Sequence, residues 1–304
     1  MRRAESPSNT GAILTFIAAA SVLVSARTQS SVAPQAGVGQ VPSPLPLSNV
    51  SRERGSSVTP AYEGWYRDRD GSVRFLVGYY NRNTTQEFDI PAGPDNRIEP
   101  GDPDQGQPTH FNTGRQWGVF TLKVPPGLGA KKMTWTIVSN GFTNTVTLHT
   151  RPEWIVEPYE DAAQKNTPPV LRFQPDAPSF TGPPSVIAMR YTAIVGTPLA
   201  LTAWVTDEGA KVNVPPPAGR GRGRGDAAPP LSITWTMFRG PGQVVFDPVK
   251  PAIDRAQGGE STTHATFTAP GEYVLRAESN DASGVGGGGF QCCWTNAHVA
   301  VTVK

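Results

Sequence analysis

The chain reads LSITWTMF over 231–238, RGPG over 239–242, QVVF over 243–246, THATFTAPGEYVLRAESND over 263–281 and NAHVAVTV over 296–303. Apolar and polar residues alternate through these stretches. Leu231, Ile233, Trp235 and Met237 share one side, Tyr273, Leu275 and Ala277 another, and Val299, Val301 and Val303 a third. A period of two is the mark of a half-buried strand, because successive side chains of a strand point to opposite faces. Arg239-Gly240-Pro241-Gly242 and Ala269-Pro270-Gly271 supply turns between strands. Short strands punctuated by Gly and Pro at this spacing predict a β-sandwich.

Working outward, the pattern extends back to about Ser185, with Leu199, Leu201, Ala203 and Val205 as a further inward stripe. Residues 58–150 repeat the rhythm. Ser72–Tyr80, Gln86–Ile90, Gln116–Val124, Lys132–Val138 and Phe142–His149 read as strands, and Asn140-Gly141 is a strong hairpin signal. Met133, Trp135 and Ile137 fall on one side of theirs. The predicted fold is all-β, with two sandwiches in tandem over 58–150 and 185–304. Residues 151–184, rich in proline, read as an extended linker that packs partly through Trp154, Ile155 and Phe173. No internal stretch sustains a helical period.

Arg2 and Arg3 precede an uncharged apolar run, Gly11–Ala26, that closes on Val24-Ser25-Ala26. This reads as an export signal over residues 1–26. The run is shorter than the roughly 20 residues a spanning helix needs, so a membrane role arises only if the segment stays uncleaved. Residues 27–57 are a polar, low-complexity spacer that reads as disordered. The chain of 304 residues holds 32 Gly and 31 Pro, a composition of many turns and little helix. Its net charge of +2 gives no argument for a nucleic-acid partner. The implied location is periplasmic or secreted.

The C-terminal half resembles the PKD-like branch of the immunoglobulin-like domains. The residues that carry this are Trp235, Gly240-Pro241-Gly242 with Val244 and Phe246, Ala265-Thr266-Phe267, Ala269–Arg276 and Asn280-Asp281. Tyr273, two residues past Gly271, resembles the tyrosine corner of sandwich folds. Long segments at 210–230 and 280–294 depart from the pattern. Residues 58–150 resemble an immunoglobulin-like or fibronectin-type module. The resemblance implies binding, adhesion or spacing outside the cytoplasm, and no shared chemistry.

Alternation also nominates a functional face. Phe238, Arg276, Glu278, Trp294 and His298 fall opposite the inward stripes of strands that should share a sheet, so they are expected to form an exposed binding face. The expected partner is an unidentified protein or glycan. A soft-metal site from Cys292, Cys293 and His298 does not fit. Cys292 and His298 would lie about 20 Å apart on a straight strand, against metal–ligand bonds near 2 Å. Cys293 should face the core. Cys292 should face outward as a free thiol, a vicinal disulfide or a link to another chain. The acidic loop Asp95–Asp104 has oxygen ligands for Ca²⁺ but no EF-hand spacing, and it reads as a solvated turn. Arg220, Arg222 and Arg224 make a weak basic patch, and Arg224-Gly225-Asp226 is a chance match to an adhesion tripeptide. Gly286–Gly289 lacks the helix and Lys of a phosphate loop. No catalytic residue, cofactor or metal ligand is nominated. The leading expectation is an exported, non-enzymatic binding, adhesion or spacer protein. The alternatives are a carbohydrate-binding module using exposed Trp294 and Phe238, and a secreted hydrolase or metal-dependent enzyme whose site assembles only in space.

Overall fold

The computed structural model describes residues 52–128, 132–162, 165–207, 231–254, 258–285 and 292–304. The segment read as an export signal, most of the residues read as a spacer, the Arg-Gly repeat and Gly286–Gly289 lie outside them. All the described residues belong to one compact unit, Val50–Lys304. They build two β-sandwiches, and no α-helix occurs among them.

In the N-terminal sandwich one sheet joins β1 (Val58–Arg67), β2 (Val73–Asn81) and β6 (Gly114–Lys123) in the order β1-β2-β6. The facing sheet joins β4 (Asn96–Glu99), β7 (Met133–Ser139) and β8 (Phe142–Leu148). A short pair, β3 (Phe88–Asp89) and β5 (His110–Phe111), sits beside them. The inward stripes meet as the alternation requires. Trp135 is 0% exposed, packs edge-on against Phe120 at 5.1 Å, and donates its indole N–H to Asn96 Oδ1 at 3.0 Å. Asn140 and Gly141 turn the β7–β8 hairpin with φ of 48° and 76°, the left-handed pair a two-residue loop needs.

The C-terminal sandwich places β10 (Ile187–Ala193), β16 (Trp294–Val303), β15 (Gly271–Asn280) and β12 (Ser232–Arg239) in one sheet, in that order. The other runs β13 (Val244–Asp247), β14 (Gly258–Phe267), β11 (Leu199–Thr206), β9 (Val170–Arg172). All pairs are antiparallel except β10 with β16. Trp235, also 0% exposed, packs between the sheets against Phe173 at 6.0 Å. The Tyr273 hydroxyl donates to the Ala269 carbonyl at 2.8 Å, which makes the tyrosine corner. Gly240 is required beside it: a Cβ there would lie 2.1 Å from Tyr273 Cδ1.

One reading of the linker is corrected. Residues 151–184 are not a simple tether, because β9 pairs with β11 and Leu171 and Phe173 join the C-terminal core. The second sandwich therefore begins near 170. A three-residue strand beside Pro168-Pro169 is too short to show a period. The expected partial packing is seen at Phe173, in the core, and at Trp154, whose ring stacks on Tyr62 at the end of a 3₁₀ turn, Pro152–Trp154, while Ile155 just beyond it is exposed. The described end of the spacer is also structured, since Arg52 bridges to Asn83.

Candidate functional site

The outer face of the β12-β15-β16 sheet is built as alternation predicts, and it is not open to solvent. Register sets Arg276 opposite His298, Glu278 opposite Asn296 and Asn280 opposite Trp294, with Thr236 of β12 beside Arg276. These side chains face away from Val299, Val301 and Val303. The N-terminal sandwich covers them. Trp294 is 4% exposed and Arg276 2%, while Phe238 and Glu278 are buried and His298 is partly buried. Phe238 packs into the N-terminal core. The expected exposed binding face of Phe238, Arg276, Glu278, Trp294 and His298 is therefore corrected: it is the interior contact between the two sandwiches.

The covering surface is the start of β6. Arg276 Nη2 donates to Gln116 Oε1 at 2.5 Å and to Glu278 Oε2 at 2.6 Å. Asn296 Nδ2 donates to the carbonyls of Trp117 and Gly118 at 3.0 and 2.9 Å. His298 Nε2–H donates to the Val119 carbonyl at 3.0 Å. Three successive carbonyls of one strand thus dock on side chains of another domain. Gly118 makes the approach possible. Its φ is +50°, and a Cβ there would lie 3.0 Å from Trp294 Cζ2. The Gly118 amide is held from behind by Glu63 Oε2 at 2.8 Å, and Glu63 Oε1 pairs with Arg115 at 2.6 Å. Burial pushes the Glu63 carboxyl up, against the pull of Arg115 and the Gly118 amide.

His298 is held neutral. Burial drives its pKa down to about 4, the Val119 carbonyl opposes this, and Arg276 and Arg239 reinforce it. Its ring lies against Phe238, with centroids 4.3 Å apart. The rim is closed by a fork from Arg239, whose Nη2 and Nη1 reach Asp104 Oδ1 and Oδ2 at 2.7 and 3.0 Å. Arg239 Nε also donates to the Gln107 carbonyl at 2.7 Å. The Thr109 amide donates to the Phe238 carbonyl at 3.1 Å, and Asn112 Nδ2 to that of Met237 at 3.1 Å, which caps the free edge of β12.

The acidic loop is thereby assigned. Asp104 grips Arg239, which holds its carboxyl below the ordinary range. Gln105 Nε2 lies within hydrogen-bond distance of the carbonyls of Ile98, Pro100 and Asp102 and ties the loop together. No group of three or more His, Cys, Asp or Glu converges for a metal among the described residues. Cys292 and Cys293 form a disulfide with each other, one of the three states the sequence left open. Cys292 is buried, not outward-facing, because the turn carrying Asn166 covers it; Cys293 Sγ lies 3.4 Å from the Asn166 carbonyl.

Sequence reading missed one cluster, a buried His between two half-exposed carboxylates. His110 lies between Asp89, 2.8 Å from Nδ1, and Glu87, 3.4 Å from Nε2. Burial pulls its pKa down, but the two carboxylates outweigh this and lift it to about 9. Glu87 and Asp89 flank Phe88 where the chain enters β3, and both reach His110, which comes from a strand of two residues that carries no pattern.

No family model matches this chain, and no curated protein matches it. Among solved structures it is similar to WR4, a C. elegans MSP family member, at 12% identity and a TM-score of 0.22, over 37% of this chain and 92% of that one. It is similar to domains 4 and 5 of the S-layer protein SbsC at 11% identity and a TM-score of 0.22, over 82% and 98%. It is also similar to the titin Ig tandem A164-A165 at 10% identity and a TM-score of 0.21, over 82% and 99%. Likeness at this level carries no argument about activity or partner.

Proposed function

We propose that this protein is an exported, non-enzymatic scaffold. Two immunoglobulin-like sandwiches, the second PKD-like, are locked together to hold a binding surface in a fixed orientation outside the cytoplasm. One observation carries the reading. The polar side chains at the contact between the sandwiches, Arg276, Glu278, His298, Arg239 and Asp104, are bound to one another or to the partner sandwich. They work as a clamp. Export is supported by the charged, apolar start of the chain and by the Cys292–Cys293 disulfide, which suits an oxidising compartment.

Backbone ¹⁵N relaxation on the full chain tests the clamp. A scaffold of this kind gives one rotational correlation time for amides of both sandwiches. Separate correlation times would show independent domains and overturn the reading. A panel of ester, peptide, phosphate and glycoside substrates tests the other half, and turnover of any of them would make the protein an enzyme.

A further inference from the structure

After β8 the chain makes one 3₁₀ turn, Pro152–Trp154. Trp154 is 43% exposed and its neighbour Ile155 54%. A large exposed aromatic on a flexible segment would fold inward to leave water. This one is held out by a rigid frame. The Trp154 amide donates to the Arg151 carbonyl at 3.0 Å, and the Val156 amide to that of Trp65 at 2.9 Å. The Trp65 indole N–H donates to the same Arg151 carbonyl at 2.7 Å. Gly64 of β1 permits this approach: a Cβ there would lie 2.7 Å from the Trp154 carbonyl oxygen.

The ring itself is set from two sides. It lies over Tyr62, with centroids 5.3 Å apart and planes 24° from parallel. His149 meets it edge-on at 5.5 Å and 82°. Tyr62 is fixed in turn, since its hydroxyl donates to the His149 carbonyl. One face of the indole is therefore packed and its orientation is locked. Exposed Arg151, Glu153 and Glu157 belong to the same turn and its exit.

We propose that Trp154, backed by Tyr62 and His149, is the stacking platform of a saccharide-binding site. The C–H face of a pyranose is apolar and flat and matches an indole face. Its hydroxyls need hydrogen-bonding partners, and the exposed guanidinium of Arg151 and carboxylates of Glu153 and Glu157 are carried by the same turn and its exit. A protein partner would use Trp154 differently, by burying it among a wide apolar ring with few charges. Here three of the exposed neighbours in the turn are charged, and Ile155 is the one other large apolar side chain exposed on it. Two clefts among the described residues, of about 410 and 590 Å³, are lined by other residues, from Asp89 to Glu272 and from Gln86 to Asn140. The site deepens the scaffold reading and rests on it, because it names what the fixed surface presents itself to.

The test is a glycan array with the full chain, followed by calorimetric titration with whichever hexasaccharide is retained. Saturable binding is expected. Trp154→Ala should weaken it by at least about tenfold, while Trp154→Tyr, which keeps a flat face, should stay within about threefold. The melting temperatures of the three proteins should agree. If the Ala variant melts early, Trp154→Leu takes its place, since Leu still packs on Tyr62 but has no aromatic face. Retention of no saccharide, or equal binding by the Ala and Leu variants, would overturn the proposal. So would capture of an apolar peptide through Trp154 in place of a sugar. None of these outcomes alters the relaxation measurement, so the scaffold reading stands or falls separately.

Discussion

Replacing Trp294 by Ala separates an interior Trp from an exposed one. The side chain is 4% exposed and is wedged between the outer face of its own sheet and Gly118 of the other sandwich, with Leu76 beside it. Truncating a buried Trp costs about 3–5 kcal/mol, from lost transfer free energy and the cavity left behind. The cavity would open between two domains, where Asn280 and Asn296 offer polar groups to entering water. That relaxation puts the expected loss near the lower end, about 3 kcal/mol. For a unit of this size each kcal/mol moves the melting temperature by roughly 2–4 °C, so Trp294→Ala should melt about 6–12 °C below the parent. Differential scanning calorimetry reads this directly. A single transition that splits in two would show that the coupling between sandwiches was lost while each core survived. A fall of less than about 2 °C would refute the reasoning, because a side chain in this wedge cannot be removed without leaving a hole.

Three further outcomes follow from buried groups. Trp135→Ala and Trp235→Ala should each cost about 3–5 kcal/mol in urea unfolding, and a loss below about 1 kcal/mol for either would show that it does not lie between sheets. His298 has a folded pKa of about 4, below its unfolded value, so its contribution is whole above about pH 6.5 and is lost as the pH falls towards 4. His298→Gln, which keeps a donor for Val119 and cannot titrate, should flatten that acid limb by about 1–3 kcal/mol; an unchanged limb would refute the assignment. His110 has the opposite sign, since its folded pKa is about 9. Its stabilisation is present below about pH 6.5 and lost as the pH rises through 9, so the advantage of the parent over His110→Asn should shrink by about 1–2 kcal/mol between pH 6 and 9.5, and a constant gap would contradict the pairing with Asp89 and Glu87.

The long strands were legible because each keeps one face in an apolar core. β12, β15 and β16 were read from Trp235, Tyr273 and Val301, and the corner from the Gly-Pro-Gly and Ala-Pro-Gly turns around Tyr273. The strands that escaped lack such a signal. β9 has three residues, and β4 lies inside a loop that reads as acidic. β1 carries Pro60 and Gly64, and a bulge between Tyr62 and Gly64 breaks its phase.

The candidate face was misread for a more general reason. Periodicity sorts side chains into apolar and polar, and it equates the polar side with water. Arg276, Glu278, Asn296 and His298 are polar, so the rule sends them to solvent. They are buried because their partners are also polar: the side chain of Gln116 and the carbonyls of Trp117, Gly118 and Val119. Those partners lie some 160 to 179 residues away, and three of the four are backbone oxygens that every residue type possesses. No residue choice advertises a carbonyl acceptor. A single trace was present, at Gly118, where a missing Cβ lets Trp294 approach. A polar interface also leaves remainders that an apolar one does not. Arg276 Nε and Nη1, Thr236 Oγ1, Asn280 Oδ1 and Asn296 Oδ1 are buried on this face without a hydrogen bond. Each unsatisfied group costs about 1–3 kcal/mol, so the clamp is held by the net of its bonds over these orphans and by the burial of Trp294 and Phe238. That balance is why removing the Trp should be felt so strongly at a contact whose hydrogen bonds would all remain.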